Sequence, residues 1–467
     1  MKKILYIYVI FSGLLFFGSC SDFLEEKPPL YLEDSEIYSS PQRIEYTLLG
    51  LYGTIKNFNT NNSSKSLLGG KGYLVFDNRG DDLNNISNNL VTLFDTYNMR
   101  ILPVSAENED FWTVSYLAIN RVNIFLDGIE GAKDILGNEK YAQFKAEALF
   151  IRAVCYYYLN NLYSMPYVLN KDAKSVPLRL KAETANGNNN LAVSTVKQVY
   201  DQVLADLDDA VINDLSTGAN SYNAVTRATK GAAHMLRMRV YMSMGEWEKA
   251  IVEAKAVTGY SLVSNVATIY KTPFVSTESI FSLPMATTNV PNTQQSLAEY
   301  YADGRILLVD LTNGIMSKAN YSLPNDARIV NFLSKKDKKL LKYVDLTNKL
   351  EWVPIFRYAE TLLALAESYA NLGGAANETL AKGYLKQVRS RSIPSDDPLN
   401  IDALTGDALK EAISNERRLE LIGEGIRGID ILRKGESFKK GSLTVKPTDS
   451  GYIWPIPQTE QTTNKDI

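Results

Sequence analysis

A five-position pattern occurs three times along the chain, and it constrains the fold more strongly than any other feature of the sequence. Each copy starts with a small residue. A packing residue follows three positions after it, a small or packing residue seven positions after it, a tyrosine ten positions after it and a turn residue fourteen positions after it. The copies are Ala146, Leu149, Ala153, Tyr156 and Asn160; Gly231, His234, Met238, Tyr241 and Gly245; and Ala359, Leu362, Ala366, Tyr369 and Gly373. Because residues three, four and seven positions apart share one face of an α-helix, the pattern predicts three helices that each pack closely along one side.

The second copy continues past its turn into another apolar segment. Gly245, Glu246 and Trp247 are followed by Ala250 and Ile251, which predicts a second helix after a short turn. This arrangement is similar to the tetratricopeptide helix pair, in which small residues let two antiparallel helices approach each other. The copies follow no fixed period, so we expect long inserts between the pairs. The predicted fold is mostly α-helical: tetratricopeptide-like helix pairs form a superhelical scaffold, with a loop-rich insert that carries a few short strands.

Three further segments have apolar residues at helical spacing. Their predicted buried faces are Ile44, Leu48, Leu51 and Ile55; Trp112, Tyr116, Ile119, Val122, Leu126 and Ile129; and Val196, Tyr200, Val203, Leu207 and Ala210. We expect Ser40 to cap the first helix, with Pro41 at its first position, and Ser194 to cap the third. From about 258 to 343 the periodicity is weak and turn residues are frequent, so the loop-rich insert is expected there.

The composition limits the chemistry and the partners of the chain. Its 467 residues include one histidine and two cysteines. A single histidine excludes a multi-histidine zinc site, and His234 occupies a packing position of the pattern, which favours a core or groove residue. Cys155 lies on a helical apolar stripe, which favours a core thiol over a nucleophile. The acidic residues at 77–84 do not follow the order of an EF-hand loop, so we predict no metal and no cofactor. A net charge of -3 without an extended basic patch argues against nucleic acid.

The first twenty residues have the order of a bacterial export signal. Two lysines precede an apolar run at 4–17, which is shorter than the ~20 residues that a membrane-spanning helix needs. The run ends in Phe17, Gly18, Ser19 and Cys20, which resembles a lipobox, where the cysteine is acylated and becomes the new N-terminus. We therefore predict a lipoprotein signal peptide at 1–19 and a lipid anchor on Cys20. A conventional secretory signal is the alternative.

Two motifs near the C-terminus allow more than one chemical interpretation. Residues 423–428, Gly-Glu-Gly-Ile-Arg-Gly, match the letters of a dinucleotide-binding loop. That loop must follow a strand, whereas the preceding segment here is helical with Thr405 as its predicted cap, so we interpret the glycines as a helix-terminating turn. Glu416, Glu420 and Glu424 share one helix face. Paired carboxylates can serve a glycoside hydrolase, but interleaved arginines favour an ion-pair network between helices.

The same segment carries a family resemblance. Residues 415–433, NERRLELIGEGIRGIDILR, closely resemble the E-R-R-x-E-x-x-x-E-G-x-R-x-x-D-x-x-R block of the SusD/RagB family. Trp454, Pro455, Ile456 and Pro457 are similar to the W-P-I-P motif that closes that family, although Lys465 replaces its usual proline. The residues at 20–24, 112–120 and 152–158 also fit, so the resemblance extends over nearly the whole exported chain.

The resemblance implies a function and a location. It implies a lipid-anchored, cell-surface protein of the outer membrane that captures a glycan, or a peptide, and delivers it without catalysis to a SusC-like TonB-dependent transporter. It also implies a SusD-like N-terminal region at 20–215 and a RagB/SusD C-terminal region at 216–467, with the insert at about 258–343.

The layout of the family places the ligand site in two loop regions, near 73–98 and 300–321. We expect aromatic rings to stack on the apolar faces of sugars there, while polar groups bind the hydroxyls. The predicted ligand-binding residues are Tyr73, Asp77, Asn78, Arg79, Asp82, Tyr97, Tyr300, Tyr301 and Arg305. A surface glycoside hydrolase and a periplasmic tetratricopeptide scaffold are the alternative functions.

Overall fold

A computed structural model of the chain describes residues 34–56, 58–60, 63–185, 187, 189–393 and 395–467. The predicted signal peptide at 1–19 and the predicted anchor Cys20 lie outside these residues. The helices are α1 Asp34–Ile37, α2 Pro41–Lys56, α3 Lys71–Arg79, α4 Phe94–Tyr97, α5 Ala106–Glu130, α6 Lys133–Tyr163, α7 Tyr167–Asn170, α8 Val196–Ala205, α9 Asp209–Asp214, α10 Tyr222–Thr226, α11 Lys230–Met244, α12 Trp247–Ala256, α13 Leu297–Tyr301, α14 Ala327–Phe332, α15 Tyr358–Leu372, α16 Ala375–Ser392, α17 Gly406–Glu420, α18 Arg427–Arg433 and α19 Gln458–Thr463. The strands are β1 Phe58–Thr60, β2 Ser63–Lys65, β3 Leu83–Asn85, β4 Ser279–Leu283, β5 Leu307–Val309, β6 Leu333–Ser334, β7 Lys339–Leu340, β8 Val353–Arg357, β9 Phe438–Lys440 and β10 Leu443–Val445.

The three helices predicted by the repeated pattern are the first members of three packed pairs. Helix α6 packs against α8, α11 against α12, and α15 against α16. Helix α12 also packs against α15, which joins the second pair to the third. The mostly helical, tetratricopeptide-like scaffold is therefore confirmed. A long insert separates the second pair, which ends at Ala256, from the third, which begins at Tyr358, as expected, and the first pair has an insert between its own two members.

Glycines define where two of these helices bend or end. Gly245 has a φ of 74° and donates its N–H to the carbonyl oxygens of Tyr241 and Met242, so it ends α11 and starts the two-residue turn into α12. Gly137 has a φ of 73° inside α6 and interrupts that helix four residues after its start. The left-handed conformation suits glycine because it lacks a β-carbon. The periodicity predicted the first of these features but not the second.

The predicted helix starts are confirmed in part. The N–H of Arg43 donates to Ser40 Oγ at 3.4 Å, which fits the expected cap of α2. Helix α8 is capped by Thr195 rather than by Ser194. Thr195 Oγ1 accepts the N–H of Gln198 at 3.2 Å, and Gln198 Oε1 accepts the N–H of Thr195 at 2.8 Å. The prediction of Ser194 was wrong by one residue because only Thr195 has a glutamine three positions later to complete this reciprocal pair.

Short antiparallel ribbons tie the insert to both halves of the scaffold. In one ribbon Leu83 lies opposite Val309 and Asn85 opposite Leu307, so β3 of the N-terminal half pairs with β5 of the insert. In another, β4 pairs with β8, which leads directly into α15. The insert has the expected short strands, and it also contains α13 and α14. The boundary at 215 and 216 stays a prediction.

Candidate ligand-binding surface

Most of the side chains predicted to contact a ligand are buried. The seven with an exposed fraction of 3% or less are Tyr73, Asp77, Asn78, Arg79, Asp82, Tyr300 and Tyr301. Six of them lie in helices rather than in the expected loops, because residues 71–79 form α3, which packs against α18, and residues 297–301 form α13. Asp82 lies in the bend between α3 and β3. Buried side chains of this kind hold elements together and leave no face for a ligand.

Asp77 illustrates the structural role of this group. Its Oδ2 accepts the hydroxyl of Tyr301 at 2.6 Å and the N–H of Gly425 at 2.9 Å, so one carboxylate joins α3, the insert and the turn before α18. Burial raises the pKa of Asp77 to about 7, although both hydrogen bonds oppose that shift. Asp82 has a similar role, since it pairs with Arg418 at 2.6 Å and accepts the N–H of Ile315 at 2.6 Å.

Tyr97 and Arg305 are the two predicted residues that reach the surface, and they flank the same ribbon. The hydroxyl of Tyr97 donates to Asn84 Oδ1 at 2.9 Å. Asn84 is in β3, where it lies opposite Leu308 of β5. The N–H of Ile86 donates to the carbonyl oxygen of Ile306 at 2.8 Å, which brings Arg305 beside the chain that leaves β3. We call this region the β3–β5 surface; its members are Asn84, Ile86, Leu90, Val91, Tyr97, Arg305 and Leu308.

The loop of this surface exposes three apolar side chains. Ile86, Leu90 and Val91 have exposed fractions of 50%, 60% and 50%. The loop is fixed by buried Asn85, whose Nδ2 donates to the carbonyl oxygen of Thr92 at 2.8 Å and to Asn78 Oδ1 at 3.0 Å. Exposed apolar residues that a buried amide holds in place are available for contact with a ligand. The sequence-based prediction left these residues out because it included only aromatic, polar and charged residues as ligand contacts.

The ring of Tyr97 packs against the buried side chain of Lys440. Lys440 Nζ lies 4.2 Å from the centroid of the Tyr97 ring and donates to the Tyr97 carbonyl oxygen at 2.9 Å. Burial and the nearby Arg79 hold the pKa of Lys440 well below its ordinary value. Burial also raises the pKa of the half-buried Tyr97, with Asp310 adding to that shift, so its hydroxyl is a neutral donor to Asn84. The surface thus combines one oriented ring, one amide, one guanidinium and several apolar groups.

Comparison with known proteins identifies the family. A family model described as "Starch-binding associating with outer membrane" matches residues 22–242, and a model described as "SusD family" matches residues 329–467. A SusD superfamily protein of known structure from Bacteroides fragilis is 60% identical, with a TM-score of 0.89 over 92% of this chain and 99% of that chain. This chain belongs to the SusD family. The resemblance found in the sequence is therefore confirmed.

More distant SusD relatives share the architecture. SusD-like protein P25 from Formosa agariphila is 25% identical over 510 residues, which cover 92% of this chain and 89% of that protein. Surface glycan-binding protein A from Bacteroides thetaiotaomicron, solved in complex with laminarihexaose, is 19% identical, with a TM-score of 0.71 over 92% of this chain and 98% of that chain. The second likeness shows the common fold.

The SusD signature at 415–433 forms a buried ion-pair cluster. Glu420 pairs with Arg391 at 2.5 Å, with Arg357 at 2.6 Å and with Arg328 at 3.1 Å. Glu416 also pairs with Arg328, at 2.5 Å. Burial alone would raise the pKa of Glu420, but the three arginines outweigh burial and hold its pKa well below the ordinary value. An ion-pair network is therefore confirmed, but Glu416 and Glu420 pair with arginines of other elements, whereas the interleaved Arg417 pairs with Asp430. Both glutamates are buried away from solvent.

The other motifs of this SusD-family chain are also structural. The turn after α17 has Gly423 and Gly425 at φ values of 78° and 64°, and it follows a helix, as the turn interpretation required. His234 Nδ1 lies 2.7 Å from a carboxylate oxygen of Glu253 on the next helix. Cys155 is fully buried, and burial raises the pKa of its thiol.

Two features are absent from the described residues. Within that part of the chain, no helix is both long and apolar enough to cross a bilayer. The same residues contain no group of three or more His, Cys, Asp and Glu side chains that could hold a metal ion.

Proposed function

We propose that this SusD-family protein binds a saccharide at the outer face of the outer membrane and passes it, without catalysis, to a SusC-like TonB-dependent transporter. The observation that carries the proposal is the β3–β5 surface, where an oriented tyrosine ring lies among an amide, a guanidinium and exposed apolar side chains. The description of the matching family model, which names starch binding and the outer membrane, supports it. The complex of surface glycan-binding protein A with laminarihexaose shows that the fold can hold a glycan.

The chemistry of the β3–β5 surface suits a sugar. A pyranose has apolar C–H faces, which pack on Tyr97 and on Leu90 or Val91, and hydroxyls around its rim. Asn84 uses Oδ1 to accept the Tyr97 hydroxyl, so its amide N–H groups can donate to the ligand. Arg305 is held by Asp303 through Nε at 2.6 Å and through Nη2 at 2.5 Å, and its side-chain exposure of 79% leaves Nη1 facing solvent. A shallow surface of this kind binds reversibly, which transport requires.

Calorimetry of the protein with a panel of soluble oligosaccharides and peptides tests the proposal. We expect at least one saccharide to bind, and we expect Ile86→Ser and Arg305→Ala to weaken it about tenfold, a loss of about 1.4 kcal/mol. Val330→Ser is the matched control, since Val330 is 66% exposed on α14 and lies outside the surface. Wild-type affinity in both surface variants would show that the site lies elsewhere. If only peptides bind, the ligand is a peptide and the proposal of a saccharide ligand is wrong.

Location and partner need a separate experiment. We propose that acylated Cys20 anchors the chain. Protease added to intact cells should degrade the wild-type protein, whereas a periplasmic scaffold would be protected. Cys20→Ala should abolish incorporation of labelled palmitate and release the protein from the membrane fraction. Co-purification with a TonB-dependent transporter after membrane solubilisation would support the delivery step. If no transporter co-purifies with a protein that still binds saccharide, the delivery step is wrong and the binding function remains.

A further inference from the structure

A second concave region lies on the tetratricopeptide-like scaffold and shares no residue with the β3–β5 surface. It is a cleft with a volume of about 500 Å³, lined by residues of α7, α11, α12, α15, α17 and α18. This volume is within the range of about 300–1,000 Å³ that small-ligand sites occupy. We call it the Trp247 cleft. It lies where the second and third helix pairs meet the helix that carries the family signature.

One wall of the Trp247 cleft is apolar. Trp247 is the first residue of α12 and is half-buried, and Val168, from α7, is 47% exposed beside the Gly245 turn. Among the described residues no aromatic ring packs on Trp247. Trp352, the other half-buried tryptophan, differs in this respect because it is stacked on Phe274 at 5.6 Å and meets Tyr222 edge-on at 5.5 Å. The indole of Trp247 is therefore the ring that a ligand can cover.

The polar part of the cleft has balanced charge. Its lining contains three cations and three anions: Lys410, Arg433 and Lys434, with Glu367, Glu411 and Glu436. A strongly charged ligand meets as much repulsion as attraction there, whereas a neutral polyol can accept from the cations and donate to the carboxylates. Asn371 and Ser414 add an amide and a hydroxyl to the lining.

Two groups in the lining have unused hydrogen-bonding capacity. Arg433 has a side-chain exposure of 3% and binds Asp430 through Nε at 2.8 Å and Glu367 through Nη2 at 2.7 Å, yet its Nη1 has no partner among the described residues. Within the same part of the chain, the exposed carboxylate of Glu436 has no ion-pair or hydrogen-bond partner. A buried donor without a partner, such as Arg433 Nη1, costs free energy unless water or a ligand supplies the missing bond. The exposed Glu436 carboxylate can accept from a ligand in place of water.

From these features we propose that the Trp247 cleft is a second saccharide-binding site, which takes a short neutral glycan segment with one sugar ring stacked on Trp247. The site goes beyond the proposed function, because that function needs only the β3–β5 surface. Two separate contacts with one polysaccharide raise the effective concentration of each site for the other, so a long glycan stays bound while either contact opens.

Fluorine NMR of 5-fluorotryptophan-labelled protein tests the site directly. The chain has four tryptophans, of which Trp112 and Trp454 are buried. The probes are the methyl glycosides of glucose, galactose, mannose, xylose and N-acetylglucosamine, and Trp247→Phe assigns the Trp247 signal. We expect at least one glycoside to shift the Trp247 signal saturably, and we expect Asn371→Ala to weaken that titration at least tenfold. Trp352 is the internal control for non-specific stacking.

The outcomes separate this site from the β3–β5 surface. If no glycoside moves the Trp247 signal, or if Trp247 and Trp352 shift equally without saturation, the second site is wrong. Arg305→Ala should leave the Trp247 titration unchanged while it weakens the β3–β5 surface. A Trp247 signal that responds only when Arg305 is intact would overturn the proposal of an independent site. If Ile86→Ser and Arg305→Ala both keep wild-type oligosaccharide affinity while the Trp247 signal still titrates, the proposed site at the β3–β5 surface is wrong and the cleft remains.

Discussion

The signature segment at 415–433 and the β3–β5 surface differ in almost every physical respect. The signature is dense in charge, and its carboxylates are buried against arginines that come from α14, β8 and α16. The β3–β5 surface is built largely from uncharged residues, several of them half exposed. The segment that identifies the family therefore holds the scaffold together, and the surface proposed to meet the ligand has no motif. The fold therefore depends on residues that lie outside the proposed surface.

The largest effect is expected at the centre of the signature. Glu420→Gln removes the negative charge that contacts Arg328, Arg357 and Arg391, and so leaves one uncompensated positive charge in the buried cluster. We expect the free energy of unfolding to fall by about 3–5 kcal/mol. Chemical denaturation measures it, and Asp201→Asn, which breaks the exposed pair with Lys197, should cost at most about 1 kcal/mol. Saccharide affinity of the folded fraction should not change; an affinity loss in Glu420→Gln alone would link the signature to the ligand.

The second prediction concerns the pH dependence of Asp77. Burial keeps its carboxyl protonated in the folded protein up to a pKa of about 7, whereas the unfolded chain releases that proton near the ordinary aspartate pKa of 3.8. Between these values the folded state holds the extra proton, so the contribution of Asp77 to stability is lost as the pH rises through 7. Asp77→Asn should resemble the protonated form. The free energy of unfolding of this variant relative to wild type should therefore rise by a few kcal/mol as the pH increases from about 4 to about 8. A constant difference across that range would contradict the raised pKa.

A smaller loss is expected at the glycine turn. Gly425 has a φ of 64°, and a β-carbon there would lie 2.8 Å from the ring of Tyr73. Gly425→Ala should lower the free energy of unfolding by about 1–3 kcal/mol, because it adds both backbone strain and overlap with a buried ring. Gly383→Ala in α16 is the matched control, since it meets nothing within 4 Å and should stabilise the helix by up to about 1 kcal/mol. Equal effects in the two variants would show that the turn is not strained.

The sequence predicted the scaffold well because helical packing leaves a periodic record. Ala146, Ala153 and Tyr156 are all buried in α6. The charges of the signature indicated ion pairs, but not that the arginines paired with its glutamates come from α14, β8 and α16. The candidate site was predicted poorly for a related reason. Tyr73 and Tyr301 look like ligand contacts because they are aromatic and lie near acidic residues. That same combination forms a buried hydrogen bond when α3 meets the insert, and no local pattern reveals that meeting.

The smallest effect on stability, and a specific effect on affinity, is expected on the β3–β5 surface. Leu90 is 60% exposed, so Leu90→Ser should change the free energy of unfolding by no more than about 0.5 kcal/mol. The saccharide affinity of this variant should nevertheless fall about tenfold, because the proposed ligand would bury this side chain, whereas folding leaves it exposed. Leu74→Ser is the contrasting variant: Leu74 is fully buried in α3, so the change should destabilise the protein strongly and leave the affinity of the folded fraction intact. If Leu90→Ser loses stability and affinity together, then the loop is part of the packed scaffold, and the contrast between the signature and this surface does not hold.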